Sequence, residues 1–423
     1  MKVLVVTPSY PVPDNPQAGI FVHKQVVNLV RQGVECRVLV YRPAAPPFPL
    51  WLRRRNWLRY HWRRPLWPNV LDGVPVNIVF FRQRGVPGED VVPTIGEALT
   101  RFVEGNEEYQ DTDVVYAQWL WSGGASALEL RRRFGWPVAA IARGSDMHQW
   151  HAVHQHCRPY VEKVIREADC VLTNCEYLRD CVEEIAPGAA ARVRVVYNGV
   201  NAEGFRPAGD RAELRRELKL EGRSRLLLFC GTIEQRKGIP ELAEAWGKFS
   251  ESHPEWTLLI VGRAVDKSLH QRLREIGGGR VVFTGQLPHA RVAMYMRAAD
   301  AYVQPSRLEG LANATMEAMA TGLPVITTSA CGQRELIRDG ENGWLVPPGD
   351  AAALGRALEE LAADREKGER LGREARRTVE TKFNPVREAA RLAQILSETA
   401  GRAARPGQAY QPGDAGATVR AER

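Results

Sequence analysis

Short apolar runs rich in Val, Leu and Ile recur from the first residues onward, with little alternation between apolar and polar positions. Runs of that kind suit strands buried on both faces. In the first half they lie at 2–7, 36–41, 74–81, 114–118, 138–142, 170–173 and 193–197. In the second half they lie at 226–230, 257–261, 281–284, 301–304, 324–328 and 343–346. Loops or segments of helical spacing separate them, for example near 21–32, 240–250, 268–275, 291–298 and 351–363. Strand and helix in alternation predict parallel sheets covered on both faces. The pattern weakens over 198–222, where Gly199, Gly204, Pro207 and Gly209 punctuate the chain, and this stretch reads as a linker.

The expected fold class is therefore α/β, with two doubly wound Rossmann-like domains facing each other across a cleft. One domain spans 1–199 and the other 200–384. A helix over 385–400 is expected to pack back on the first domain. The segment 401–423, rich in Gly, Ala, Pro and Arg, reads as a disordered tail. Ligands of such sheets bind beyond the carboxyl ends of the strands, at a switch point, which here becomes the interdomain cleft.

The composition of the 423 residues, 44% apolar and 26% charged, is that of an ordinary globular protein. A net charge of +8 favours anionic partners: nucleotide diphosphates, phospholipid surfaces or nucleic acid. No apolar run approaches the ~20 residues of a membrane span. The apolar start Met1-Lys-Val-Leu-Val-Val is too short for a signal peptide. Seven cysteines are scattered without a C-x-x-C pair, and Cys170, Cys175 and Cys181 lack a zinc spacing. A reduced, cytoplasmic protein is the simplest inference.

Three segments carry candidate chemistry. In Glu309-Gly-Leu-Ala-Asn-Ala-Thr-Met-Glu317, Asn313 is a good N-cap, while Gly322 and Pro324 suit the helix end. Two carboxylates then flank a helix start whose free N–H groups can hold an anion or sugar oxygens. In Gly231-Thr-Ile-Glu-Gln-Arg-Lys-Gly238, directly after a strand, Arg236 and Lys237 could neutralise a diphosphate. The Gly-Lys-Ser/Thr ending of a Walker loop is missing. The loop over 8–19 follows the first strand, where Gly19 could offer an N–H to a phosphate. The G-x-G-x-x-G fingerprint is absent there, which counts against a nicotinamide enzyme.

Together these segments resemble the retaining glycosyltransferases of family 4, with the GT-B fold, over residues 1 to about 395. The carriers are Tyr10-Pro, Ala18-Gly-Ile-Phe, Arg143-Gly-Ser-Asp146, Asn198-Gly-Val-Asn201, Lys237-Gly238 and the Glu309–Glu317 spacing. Gly322-Leu-Pro-Val, Gly332-Gln-Arg-Glu335 and Gly343-Trp-Leu-Val-Pro-Pro-Gly-Asp350 complete them. The segment Pro13-Asp-Asn-Pro-Gln-Ala-Gly-Ile-Phe-Val-His-Lys-Gln25 looks most like members that build cell-surface polysaccharides, including teichuronic-acid and exopolysaccharide types.

The resemblance implies a hexosyl transfer from a nucleotide-sugar, UDP- or GDP-linked, to a lipid-linked or growing glycan. It implies a nucleotide-sugar co-substrate and neither cofactor nor metal. It places Lys237, Arg236 and Glu309 at the reacting diphosphate and sugar. It puts Gly19, Gly231, Thr232, Gly310, Leu311, Ala312, Asn313, Glu317 and Glu335 around the donor, with Glu317 on the ribose. The base is expected near Gly285, Gln286 and Leu287. Arg143, Asp146 and His148 fall on the acceptor side. The rival enzyme reading is a sucrose- or trehalose-type synthase acting on soluble sugars. A rival of another class is a non-catalytic, nucleotide-binding, membrane-associated subunit. Turnover of a nucleotide-sugar panel separates them.

Two departures stand out. Many relatives carry Arg where this chain has Thr232, and Arg236 could substitute. Many also carry His where this chain has Arg143, which could contact a donor phosphate or an acidic acceptor. Asp111-Thr-Asp113 matches the D-x-D metal motif of the other large glycosyltransferase fold, but a polar turn explains it better. His148, His151, His154, His156 and Cys157 read as a polar face lining the acceptor side rather than a metal set. Residues 41–70 interleave Trp51, Trp57, Trp62 and Trp67 with Arg53, Arg54, Arg55, Arg59, Arg63 and Arg64. That composition suits an anionic membrane surface, with an ordered insertion as the bland alternative. No nucleic-acid partner is expected. The location implied is the cytoplasm, peripheral on the inner face of the plasma membrane.

Overall fold

In the computed structural model, which describes residues 1–11, 17–44, 70–83, 90–148, 157–189 and 192–403, the apolar runs pair into two sheets. The first comprises β1 (Lys2–Thr7), β2 (Glu35–Pro43), β3 (Val70–Leu71), β4 (Val74–Phe81), β5 (Val114–Gln118), β6 (Val138–Ala142), β7 (Cys170–Thr173) and β8 (Val193–Val195). Their order is β3-β4-β2-β1-β5-β6-β7-β8, parallel except for the β3–β4 hairpin. The second comprises β9 (Arg225–Cys230), β10 (Trp256–Val261), β11 (Val281–Gly285), β12 (Ala301–Gln304), β13 (Val325–Thr328) and β14 (Trp344–Val346). Its order is β11-β10-β9-β12-β13-β14, parallel throughout.

The strand cores explain the absence of alternation. Every residue of β5, β6, β7 and β10 is buried, because helices cover both faces. Each sheet reverses its winding at one point: between β1 and β5 in the first, between β9 and β12 in the second. The loops leaving these four strands carry Ser9, Trp119, Gly231 and Glu309. The topology thus delivers the segments singled out above to two facing crevices.

The helix Pro385–Ala403 crosses back to the first domain and lies against the helix Ile20–Arg31. Its Leu392, Ile395 and Leu396 share a core with Val3, Val5 and Val22. At the crossing, a Cβ on Gly199 would sit 2.3 Å from the Cα of Pro385. Glu388 accepts the Tyr197 backbone N–H at 3.1 Å. The weak-pattern stretch 198–222 contains a short helix, Arg211–Glu217, capped by Asp210. Arg215 of that helix reaches Asp300 at 2.6 Å, and Asp300 also accepts the Leu226 N–H at 2.7 Å. The segment is therefore fastened to the edge of β9 rather than hanging free.

Residues 45–69, the histidines at 151, 154 and 156, the side chain of His148 and residues 404–423 lie outside the described part. Among the described residues no helix is long and apolar enough to cross a membrane, and the seven cysteines are free thiols. Asp111 and Asp113 sit at the amino ends of β1 and β5, away from the cleft. Asp111 pairs with Lys2 and Arg37, and Asp113 accepts the Lys2 backbone N–H at 2.7 Å.

Candidate functional site

The two crevices meet in a cavity of about 430 Å³ lined by both domains. The second domain contributes a ring of charge. Lys237 ends a short 3-10 turn after β9, and its ammonium pairs with the Glu309 carboxylate. Arg236 lies beside it, with Nη2 2.8 Å from Glu234 and Nη1 3.9 Å from Glu309. Gly238 is left-handed (φ 70°) and passes close to the Pro305 carbonyl, which lets the turn run straight into the helix Ile239–Ser252. Glu309 is held further by Ser306 Oγ at 3.5 Å.

Opposite these cations the helix Asn313–Ala320 opens toward the cavity, and no side chain caps its first N–H groups. The sequence-based N-cap needs correction here. Ala312 occupies the cap position, and Asn313 is the first helical residue. The Asn313 Oδ1 instead accepts Asn198 Nδ2 from the first domain at 2.9 Å, so the uncapped N–H groups stay available to a ligand. One turn on, Glu317 receives His289 Nε2 on Oε1 at 2.6 Å. That leaves Oε2 free to accept from a ligand.

Two residues that the sequence pattern does not mark complete this end. His289, at the start of the helix His289–Ala298, packs edge-on against Phe205 at 5.1 Å. Lys24, from the first-domain helix Ile20–Arg31, reaches within 3.2 Å of His289 Nε2 and 4.0 Å of Glu317. Burial lowers the Lys24 pKa, and Glu317 partly offsets that. His289 lies two residues beyond the 285–287 segment expected at the base, which was the available signal. Lys24 lies within the family-like segment Pro13–Gln25, but nothing there singles it out, since a helical lysine commonly faces water.

A second cavity of about 290 Å³ adjoins the first through Phe21, Asn198, Arg236, Glu309, Leu311 and Asn313. Its first-domain wall holds Arg143, Trp119 and Asn174. Arg143 is 5% exposed and donates to Gln118 at 2.5 Å, Asn198 at 3.2 Å and Gln25 at 3.3 Å. Gly310 meets the first domain here, where an added Cβ would stand 3.5 Å from Gly144.

The cavities thus gather Lys237, Arg236, Glu309, Gly231, Thr232, Gly310, Leu311, Ala312, Asn313, Glu317 and Arg143. Other predicted residues are placed elsewhere. Glu335 caps a helix across the domain boundary, accepting the N–H groups of Glu176 and Tyr177 at 3.1 Å each. Each of its oxygens takes one of these N–H groups and it lines neither cavity, so in this structure it fastens the two domains together. Gly285, Gln286 and Leu287 end the edge strand β11, two strands from the switch point, and none lines either cavity. Gly19 is left-handed (φ 57°), and a Cβ there would sit 2.1 Å from the Ser9 carbonyl. It shapes the turn and does not line the cavities. Thr232 donates to Glu234, the same carboxylate that holds Arg236.

Asp146 lines neither cavity. It is buried, and its Oδ2 accepts the backbone N–H groups of Arg143 at 3.0 Å and Leu120 at 3.1 Å. It holds the loop that presents Arg143. Burial pushes its carboxyl up to about 7. A carboxyl whose pKa is higher folded than unfolded binds more protons in the folded state between those two values. Its stabilising contribution is complete below about pH 4 and is lost as pH rises through about 7. Wild-type stability should therefore fall relative to Asp146→Asn over that window. Urea midpoints measured from pH 4 to 8 check this, and parallel curves for the two proteins would refute it.

Residues 18–199 match the model of the glycosyl transferase 4-like domain, and residues 210–378 match that of glycosyl transferases group 1. The chain is 27% identical over 364 residues to Bacillus subtilis TuaC, described as a teichuronic acid biosynthesis glycosyltransferase. The match covers 85% of this chain and 88% of TuaC. Among solved structures, sucrose-phosphate synthase from Thermosynechococcus elongatus superposes with a TM-score of 0.76 at 22% identity, covering 95% of this chain and all of that one. Anabaena HepE, in complex with UDP-glucose, superposes with a TM-score of 0.72 at 19% identity, covering 94% of this chain and 99% of that one. These two show a shared fold. The chain belongs to the family 4 glycosyltransferases of the GT-B fold.

Proposed function

We propose that this glycosyltransferase moves a sugar from a UDP- or GDP-linked donor to a lipid-linked or growing glycan, with retention, as a step in cell-surface polysaccharide synthesis. The observation that carries the reading is the first cavity. It brings together Arg236 and Lys237, the Glu317 carboxylate and an uncapped helix start. A nucleoside diphosphate sugar carries groups that match each of these. Its diphosphate meets Arg236, Lys237 and the helix start, and its ribose hydroxyls donate to Glu317 Oε2. The association of TuaC with teichuronic acid biosynthesis and of HepE with UDP-glucose supports the same substrate class.

The step breaks the bond from the anomeric carbon to the diphosphate oxygen and forms one to the acceptor oxygen. The acceptor proton passes to the departing phosphate oxygen on the same face, which gives retention. Fixed cations stabilise the charge that grows on the leaving group, commonly the dominant source of rate enhancement at such sites. A panel of UDP-, GDP- and ADP-sugars, with and without a lipid extract, tests the reading; no binding or turnover of any of them removes it. Glu317→Ala should weaken nucleotide binding about 10–100-fold, the loss of hydrogen bonds to a charged acceptor. Unchanged affinity in a titration with UDP and GDP would remove its ribose role. Residues 41–70 are proposed to meet an anionic bilayer. Flotation with anionic vesicles should carry the protein upward, and replacing Arg53–Arg55 should reduce that.

A further inference from the structure

Arg143 is a buried cation with no carboxylate hydrogen-bonded to its guanidinium. Its hydrogen-bond partners Gln118, Asn198 and Gln25 are all neutral amides, and two of the three contacts are long. Its Nε–H has no partner. Asp146 attracts it through space, but the Asp146 Oδ2 is engaged by two backbone N–H groups. Among the described residues no carboxylate pairs with it. A charge so placed costs several kcal/mol unless something compensates it.

The surroundings of Arg143 say what could compensate it. The Phe21 ring lies 4.9 Å from the guanidinium carbon, and Trp119 meets Phe21 edge-on at 5.8 Å. Trp119 is held at φ 66°, a strained value for a bulky residue, and its indole N–H donates to Ser145 Oγ at 2.8 Å. On the same cavity, Asn174 leaves Oδ1 unpartnered. Apolar ring faces beside an unpaired planar cation suit a sugar ring that carries a planar anion. The diphosphate already has its own cations in Arg236 and Lys237.

Resting on the glycosyltransferase reading above, we infer that the junction of the two cavities takes a hexuronic acid, whose carboxylate pairs with Arg143. The carboxylate would replace the long contacts to Asn198 and Gln25. Asn198 also bonds Asn313 at the helix start, so Arg143 stands one amide away from the donor pocket. The acidic sugar can therefore be the one transferred or the terminal sugar of the acceptor, and the chemistry is the same.

Calorimetric titration of the full chain separates the two sources. One arm compares UDP-glucose with UDP-glucuronate, and GDP-mannose with GDP-mannuronate. The other compares octyl glucoside with octyl glucuronide on protein saturated with the nucleoside diphosphate that binds. The acidic member of at least one pair should bind about tenfold tighter, the scale of one charged hydrogen-bonded contact. In Arg143→His at pH 8, where the imidazole is neutral, that preference should vanish while nucleotide binding persists. A preference among the nucleotide-sugars assigns the carboxylate to the donor, and one among the octyl glycosides assigns it to the acceptor. Preferences below about threefold in every pair overturn the inference, as does a preference that survives in Arg143→His. The wild-type comparisons decide the matter even if the variant fails to fold. If acidic and neutral donors bind alike, only this inference falls. If no nucleotide-sugar binds, the reading of the first cavity falls with it.

Discussion

Replacing Lys237 by Met should lower kcat for sugar transfer by about 100- to 1,000-fold, the range for removing one fixed donor from developing charge. The geometry gives the reason. Lys237 is largely buried, and its ammonium meets the Glu309 carboxylate. The left-handed Gly238 just after it and the helix Ile239–Ser252 hold it in place, so it needs no reorganisation when a diphosphate departs. Met keeps most of the length and the apolar character of the stem and removes the charged end. The diphosphate is charged before and after bond breaking, yet the bridging oxygen gains its charge only as the bond breaks. The loss should therefore fall more on kcat than on donor affinity.

Glu309 makes the test sharper. In Lys237→Met its carboxylate loses its strongest partner and faces the place where a diphosphate would sit, with Arg236 3.9 Å away. Part of the loss is then repulsion by Glu309. Adding Glu309→Gln to Lys237→Met should recover some donor affinity, because the repelling charge is gone, but not the rate. Steady-state kinetics of the single and double variants read this out. A Lys237→Met enzyme within about fivefold of wild-type kcat would remove Lys237 from the chemistry.

The sheet strands were legible because parallel strands buried on both faces leave continuous apolar runs, as at 138–142 and 226–230. The second-domain charges were legible because they leave adjacent strands at the switch point and lie close together in sequence: 236 and 237, then 309 and 317. What escaped depends on long-range placement. Lys24 reaches Glu317 only because the helix Ile20–Arg31 faces the opposite domain. Asn313 looked like a cap by residue type, but tertiary pairing with Asn198 engaged its oxygen. Glu335 carries a charge within a family-like segment, yet the nearest N–H groups belong to a first-domain helix start that also favours a carboxylate. Local rules cannot decide between two such partners when one lies 159 residues away in sequence.

Gly238→Ala should be among the most damaging single-methyl changes to the second domain. At φ 70° any side chain is strained, and the new Cβ would lie 1.8 Å from the Pro305 carbonyl oxygen. Neither partner can yield cheaply. Pro305 directly follows β12, whose Tyr302 and Ala301 are locked to β9. Gly238 opens the helix Ile239–Ser252, whose Trp246 and Phe249 are buried in the second-domain core. The overlap must be relieved by moving the helix start away from the β12 end. A backbone clash and a forced left-handed residue together suggest a loss above ~3 kcal/mol. For a domain of this size that corresponds to a Tm drop of about 10 °C. The same displacement would carry Lys237 and Arg236 away from Glu309, so nucleotide protection of the variant against heat should shrink as well. Differential scanning calorimetry with and without UDP or GDP measures both. Gly340→Ala is the matched control: its φ of 71° is similar, but a Cβ there meets nothing within 4 Å. It should lose only the conformational part, about 1 kcal/mol. Equal Tm losses in the two variants would mean that the approach of Gly238 to Pro305 does not hold this corner of the site.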